Sequence, residues 1–71
     1  MLQTKKLRGA LEEYDLNSYR AVANLLGISK GAASMKMRGM TQFKASEIFT
    51  IATACNLFGR IEEIFFAEEK E

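Results

Sequence analysis

The lysines and arginines of this 71-residue chain have a spacing that favours binding to a negatively charged partner. No acid occurs between Asp15 and Glu47. That window contains five cations, namely Arg20, Lys30, Lys36, Arg38 and Lys44. Basic surfaces of this kind bind polyanions such as nucleic acids. A solvated basic face without a partner is an alternative that the charge pattern alone leaves open.

A run of small residues, SKGAAS at 29–34, lies among these cations. Small side chains add little to a core, but they let a helix backbone approach a partner closely. Gly31 costs about 1 kcal/mol of helix stability relative to alanine. Close approach to a partner would offset that cost. The alternative is that Gly31 lies in a first helical turn, where the penalty is small.

The sequence lacks the patterns that catalysis and metal binding require. There is no histidine. The adjacent acid pairs at 12–13 and 62–63 cannot converge, because neighbouring residues on a helix point in different directions. GISKG at 27–31 lacks the spacing and the ending of a P-loop. We therefore predict a protein that is not an enzyme and has no metal site, no cofactor and no small-molecule substrate.

Length and composition indicate one globular domain. No apolar run approaches the roughly 20 residues of a membrane span, and the N-terminus lacks a signal-peptide stretch. We expect a cytoplasmic protein without membrane contact, in which Cys55, the single cysteine, is a small core residue. Net charge is +5 over residues 1–61 and −4 over residues 62–71. The domain is predicted at 1–66, and an acidic tail at 67–71.

The absence of proline and the spacing of the glycines predict an all-α fold of about five short helices. Ser18 and Ser29 are predicted N-caps, while Gly27 and Gly39 are predicted to end helices. The predicted helices span about 4–14, 18–26, 29–38, 44–55 and 60–66. The tight turn at Gly27 between helices two and three is typical of a helix-turn-helix.

Helical periodicity also predicts which side chains face the core. The predicted inward residues are Leu7, Leu11, Tyr14, Val22, Ala23, Leu26, Ala33, Met37, Ile48, Ile51, Ala52 and Cys55. The last helix carries Ile61, Ile64 and Phe65, and periodicity leaves open which of these three lie inside. On the third helix, Gly31, Ser34, Met35 and Arg38 cluster on the opposite side.

The stretch SYRAVANLLGISKGAASMKMRGMTQF resembles the helix-turn-helix of the lambda-repressor-like family. Ala23, Gly27 and Ala33 match the family's helix-two alanine, turn glycine and small or apolar helix-three residue. The closing segments EIFTIATACNL and IEEIFF are similar to the last helices of Cro-like repressors of temperate phages. The resemblance implies a repressor of a phage genetic switch that binds double-stranded operator DNA in the bacterial cytoplasm.

The resemblance also implies roles for individual residues. Positions that read bases in the family are occupied by Ser29, Lys30, Gly31, Ala32, Ser34 and Met35. Positions that contact phosphates are occupied by Tyr19, Arg20, Lys36, Arg38, Thr41, Gln42 and Lys44. Only Lys30 among the central outward residues can readily make a bidentate contact with guanine. One protomer would then need a dimer on a two-fold operator, shape readout, or a different partner.

An antirepressor is the alternative function, in which the same surface binds the DNA-binding domain of a partner phage repressor. Methionines adapt well to protein interfaces, and three of them lie in or just after the third helix. A competing interpretation leaves only Met35 exposed, with Met37 in the core and Met40 filling a loop gap. The last helix carries more apolar residues than one face can bury, which indicates either a weak homodimer or an intramolecular core. The candidate protein interface is Met35, Met40, Leu57, Phe58, Ile61 and Phe65.

Overall fold

The computed structural model describes residues 2–66, so the acidic tail predicted at 67–71 lies outside the described residues. Within 2–66 the chain forms helices and no strand, which confirms the all-α prediction. The helices are α1 (Thr4–Glu12), α2 (Tyr19–Leu26), α3 (Lys30–Met37), α4 (Ala45–Cys55) and α5 (Ile61–Phe65). A 3-10 turn, Phe58–Arg60, leads directly into α5. No helix in this part of the chain has the length and apolarity needed to cross a membrane.

Serine caps start the two helices on either side of the short turn at 27–29. The hydroxyl oxygen of Ser18 accepts a hydrogen bond from the Ala21 N–H at 3.0 Å. The hydroxyl oxygen of Ser29 accepts one from the Ala32 N–H at 3.1 Å. Each bond satisfies a donor that has no partner within its own helix. The predicted starts of α2 and α3 are therefore confirmed.

Four of the helices end in the same way, through one left-handed residue followed by an apolar residue. The left-handed residues are Asp15, Gly27, Gly39 and Asn56. In each case the N–H of the apolar residue donates to the carbonyl oxygen of the residue five positions before it, which is the pattern of a Schellman motif. Three of the four apolar residues pack on or in the core, namely Leu16, Ile28 and Leu57. The fourth, Met40, is 62% exposed and fills no gap in the loop.

The core joins side chains from all five helices. Its fully buried members include Leu7, Leu11, Val22, Ala33, Met37, Ile51 and Ile64. Helix α2 packs on α3 and α4, while α5 packs on α1 and α4. Cys55 is buried among these residues, as the sequence predicts. Ala33, a methyl group at the centre of α3, lets that helix lie close to α2.

The predicted end of the first helix is wrong by two residues. Helix α1 stops at Glu12, and the chain then reverses through Asp15, whose φ is 57°. Tyr14, predicted on the buried face, lies in this turn and is 45% exposed. One further residue predicted in the core, Leu26, is only half-buried at its edge. Ile61, predicted as a candidate interface residue, is half-buried at the same edge.

The candidate protein interface near the C-terminus is also corrected. Leu57 and Phe65 are both buried, so neither presents a surface to a partner. Phe65 packs edge-to-face against Phe43, with ring centroids 5.5 Å apart. Leu57 follows left-handed Asn56 and turns into the core. Of the aromatic and aliphatic residues at this end, Phe58 and Phe66 are the ones that remain exposed.

Candidate functional site

Three cations from three different helices meet around one open depression of about 550 Å³. Arg8 comes from α1, Arg20 from the first turn of α2, and Lys30 from the first residue of α3. Asn17, Ser18 and Tyr19 line the rest of the depression. The N-terminus of α2 therefore opens into a space lined by positive side chains. Such a space attracts an anion because the helix dipole and the cations have the same sign there.

Arg8 is the site residue that the sequence reasoning missed. Its guanidinium Nη2 donates a hydrogen bond to the Tyr19 hydroxyl oxygen at 3.2 Å. This contact joins residues eleven positions apart, so no local pattern could have indicated it. Tyr19 and Arg20, which the sequence does predict at the start of helix two, lie on the same depression. The contact holds Arg8 beside the first turn of α2.

The outward side of α3 carries small and flexible residues, as predicted. Ser29, Lys30, Gly31 and Met35 are exposed, while Ala32 and Ser34 are half-buried. A Cβ built on Gly31 would meet no atom within 4 Å. The described part of the chain thus gives no packing reason for a glycine at this position.

Lys36 departs from its predicted role as a phosphate contact. Its Nζ forms an ion pair with the Glu47 carboxylate, and only 12% of its side chain is exposed. The same carboxylate oxygen accepts a hydrogen bond from the Lys44 backbone N–H at 2.8 Å. Glu47 thereby satisfies a free donor at the start of α4 and holds the end of α3 against it. Lys36 thus links α3 to α4 beneath the surface instead of contacting phosphate, and the sequence spacing does not indicate this role.

The protonation of Glu47 is set by two opposing effects. Burial raises the pKa of its carboxyl group, but the Lys36 ammonium and the Lys44 N–H lower it. The lowering prevails, so the pKa lies below its ordinary value and the carboxylate stays ionised at neutral pH. The Glu47 carboxylate therefore supplies a counter-charge beside Lys36 at neutral pH.

The loop between α3 and α4 places the remaining predicted phosphate contacts on the surface. Arg38, Thr41, Gln42 and Lys44 are all exposed. The Arg38 Nε lies 3.4 Å from the Ser34 carbonyl oxygen, a long hydrogen bond that directs the side chain back along α3. Thr41 and Gln42 border a second depression of about 350 Å³, whose other residues are mainly apolar. These two residues are therefore separate from the depression lined by the three cations.

The sequence allows either three methionines at the α3 surface or only Met35, and the exposure of their side chains can be compared with both interpretations. Met37 is fully buried, whereas Met35 is 40% exposed and Met40 more so. The prediction that only Met35 would be exposed is wrong for Met40.

Within residues 2–66, no cluster of three or more acidic, cysteine or histidine side chains could hold a metal ion.

Comparison of the chain with protein-family models, with curated proteins and with solved structures gives no match. The properties of the site consequently have to be argued from its own geometry.

Replacing Glu47 tests the link between α3 and α4. We expect Glu47→Gln to lower the free energy of unfolding by about 1–3 kcal/mol at neutral pH, because the buried Lys36 ammonium loses its counter-charge. The folded-state pKa of Glu47 lies below the unfolded one, so its stabilisation is complete above the ordinary value of 4.5 and is lost as the pH falls through the folded pKa. Urea unfolding at several pH values measures this difference.

The matched control is Glu12→Gln, an exposed glutamate that forms no ion pair within residues 2–66. It should leave the unfolding free energy nearly unchanged. A loss for Glu47→Gln that does not shrink below pH 4.5 would contradict the assigned ion pair.

Proposed function

We propose that this chain is a sequence-specific DNA-binding transcriptional regulator that acts in a bacterial cytoplasm, with α2 and α3 forming a helix-turn-helix. The observation that carries the proposal is the meeting of Arg8, Arg20 and Lys30 at the N-terminus of α2. A cationic space beside an exposed helix with small outward residues suits a backbone phosphate next to a groove. The resemblance of 18–43 to lambda-repressor-like proteins favours the same function, in the role of a Cro-like repressor.

The phosphate contacts follow from the charges and from the two capped helix starts. Residues 2–66 carry nine basic and six acidic side chains, for a net charge of +3. Helix N-termini bind phosphate through free N–H groups and the helix dipole. Arg8 and Arg20 would hold one phosphate at the start of α2, and Arg38 and Lys44 would contact the backbone farther along. These contacts fix the register of the protein on the duplex but do not read its sequence.

Base reading would then fall to a small number of side chains on α3. Lys30 can donate to the O6 and N7 atoms of guanine, and Ser34 can make one hydrogen bond to a base edge. Ala32 offers a methyl group to the thymine methyl. Each good bidentate pair gives about 1–3 kcal/mol of discrimination. Such a reader would gain specificity from two copies on a two-fold operator, where its occupancy would block transcription.

Arg8 and Arg20 provide the test of the phosphate contact. We expect Arg8→Ala and Arg20→Ala each to weaken binding to random-sequence duplexes and to lower the slope of log affinity against log salt by about one. Fluorescence anisotropy over a salt series measures both quantities. Arg60→Ala is the matched control, because Arg60 is exposed beside α5 and pairs with Glu63 at 3.6 Å.

The possible outcomes distinguish an error in the proposed phosphate position from an error in the proposed DNA-binding function. Salt-dependent binding by the wild type with unchanged slopes for both variants would place the phosphate elsewhere. No binding by the wild type at physiological salt would contradict the proposed function itself.

Gly31 tests whether the α3 backbone approaches the groove floor. We expect Gly31→Ala to leave stability unchanged or raise it by up to about 1 kcal/mol, since the added methyl group meets no atom within 4 Å. DNA affinity should nevertheless fall by about 5–30-fold, because a clash of 1–2 kcal/mol has that effect. Gly9→Ala on α1, which also adds a methyl group in open space, is the control and should not change DNA affinity. Equal affinities for both variants would show that α3 does not approach closely.

The exposure of Met35 and Met40 favours a second candidate function, that of an antirepressor which binds the DNA-binding domain of a phage repressor. Under this function Met40→Ser should weaken binding to the purified repressor of the same phage, measured by calorimetry. The same variant should leave DNA binding unchanged under the DNA-reading function. Retention of repressor binding by Met40→Ser would exclude Met40 from the contact.

A further inference from the structure

One of the three asparagines of this chain borders the cationic depression. Asn17 is exposed and lies between the end of α1 and the start of α2. It lines the depression together with Arg8, Arg20 and Lys30. A change of charge at Asn17 would therefore act directly on these three cations.

An asparagine can lose its side-chain amide group through its own backbone. The backbone nitrogen of the next residue attacks the side-chain Cγ, the new N–Cγ bond closes a five-membered imide, and the Cγ–Nδ2 bond breaks. The leaving group takes the proton of the attacking N–H and departs as ammonia. Water then opens the imide at either carbonyl carbon and gives aspartate or isoaspartate. The reaction consumes only water, but the attacking N–H has to be free of a hydrogen bond and uncrowded.

The backbone N–H that follows Asn17 meets both conditions. Ser18 is the N-cap of α2, and within residues 2–66 its N–H donates to no backbone carbonyl. The small serine side chain leaves the nitrogen accessible. The neighbouring cations also favour the attack, because positive charge stabilises the anionic form of the nitrogen.

The two other asparagines lack these conditions. Asn24 lies within α2, where the next N–H, that of Leu25, bonds to the carbonyl four residues back. Asn56 precedes Leu57, whose N–H donates to the Ala52 carbonyl oxygen at 2.9 Å. In both cases the next side chain is a leucine, which crowds the nitrogen more than serine does. The fold therefore leaves Asn17 as the open position among the three.

We propose that Asn17 is a self-modification site, at which ring closure on the Ser18 nitrogen followed by hydrolysis places a carboxylate in the cationic depression. This carboxylate lies among Arg8, Arg20 and Lys30 and offsets part of their charge. An anionic partner then has to compete with a counter-charge that belongs to the protein itself. The modification rests on the geometry alone, whereas its effect on DNA binding rests on the proposed function.

Peptide mapping of the aged chain tests the modification. Trypsin cleaves after lysine and arginine, so the three asparagines fall in separate peptides, 9–20, 21–30 and 45–60. In the folded chain, mass spectrometry should find peptide 9–20 modified at least about tenfold faster than the other two, whose N–H groups must first break a hydrogen bond. The product should contain isoaspartate as well as aspartate. Equal rates in the three peptides, or aspartate alone, would overturn the proposal.

Unfolding the chain in guanidinium chloride separates the effect of the fold from that of the sequence. It should speed the reaction at Asn24 and Asn56 by about tenfold, because their neighbouring N–H groups are released, but not at Asn17. Ser18→Thr keeps a capping oxygen but crowds the nitrogen, so it should slow the reaction in the folded chain. Equal acceleration of all three asparagines on unfolding would overturn the proposal.

Asn17→Asp introduces the charge of the product and tests its location. At low salt its urea unfolding midpoint should lie above that of the wild type, because the carboxylate relieves repulsion among the cations. The rise should shrink at high salt and in the Arg8→Ala background. No rise, or an equal rise in both backgrounds, would overturn the proposed location of the charge.

DNA binding provides the second readout of the charge. Asn17→Asp should bind random-sequence duplexes more weakly than the wild type, with a salt slope lower by about one. Asn56→Asp is the matched control, because it adds the same charge outside the depression. Equal binding by the two variants would overturn the proposed effect on the depression. A raised unfolding midpoint for Asn17→Asp with no DNA binding by the wild type would support the modification site and contradict only the proposed function.

Discussion

The carboxylate of Glu47 makes the interaction on which the geometry of the candidate site depends. It pairs with the Lys36 ammonium at the end of α3 and accepts the Lys44 N–H at the start of α4. One oxygen atom thus ties together the two ends of the loop at 38–44. Without it, a buried ammonium group would lack a counter-charge and α4 would start with an unsatisfied donor. The burial of Ala33 and Met37 would still hold α3 against the core.

The surface of the described residues has parts with different chemistry. The starts of α2 and α3 present cations from three helices to one open space, while Lys36 is withdrawn from solvent. The outward side of α4 is neutral and carries Phe49, whose exposed ring packs against that of Phe58 in the 3-10 turn. The cationic part belongs to α1, α2 and α3, and the neutral part belongs to α4 and the 3-10 turn. Under the proposed function, the cationic part would contact the duplex.

Local chemistry made the helices predictable from the sequence. Ser18 and Ser29 accept hydrogen bonds from residues three positions ahead, and Gly27 and Gly39 have the positive φ that glycine tolerates. The inward positions of Ala33 and Met37 follow from helical periodicity alone. Asp15 ends α1 in the same left-handed conformation, but aspartate is a weaker signal than glycine. The predicted first helix is two residues too long because its last turn tightens: the N–H groups of Tyr14 and Asp15 donate to carbonyl oxygens only three residues back.

Contacts between distant residues were not predictable in this way. The pairing of Lys36 with Glu47 spans eleven positions, as does the hydrogen bond from Arg8 to Tyr19. The sequence therefore assigned Lys36 to the surface and did not single out Arg8. The burial of Leu57 and Phe65 depends on how α5 packs against α1 and α4, and periodicity in so short a helix cannot settle which of its many apolar residues lie inside. The cationic depression emerges only once three helices are assembled.

Mapping of backbone amide chemical shifts on the isotopically labelled chain, during titration with a duplex enriched from a random-sequence pool, tests the central claim most directly. The account predicts that the largest changes fall at 18–21 and 29–38, where α2 starts and α3 lies, with Lys30 among the most affected. Changes concentrated at 49–58, with the starts of α2 and α3 unaffected, would contradict it. Failure of the pool to yield any enriched duplex would contradict it as well.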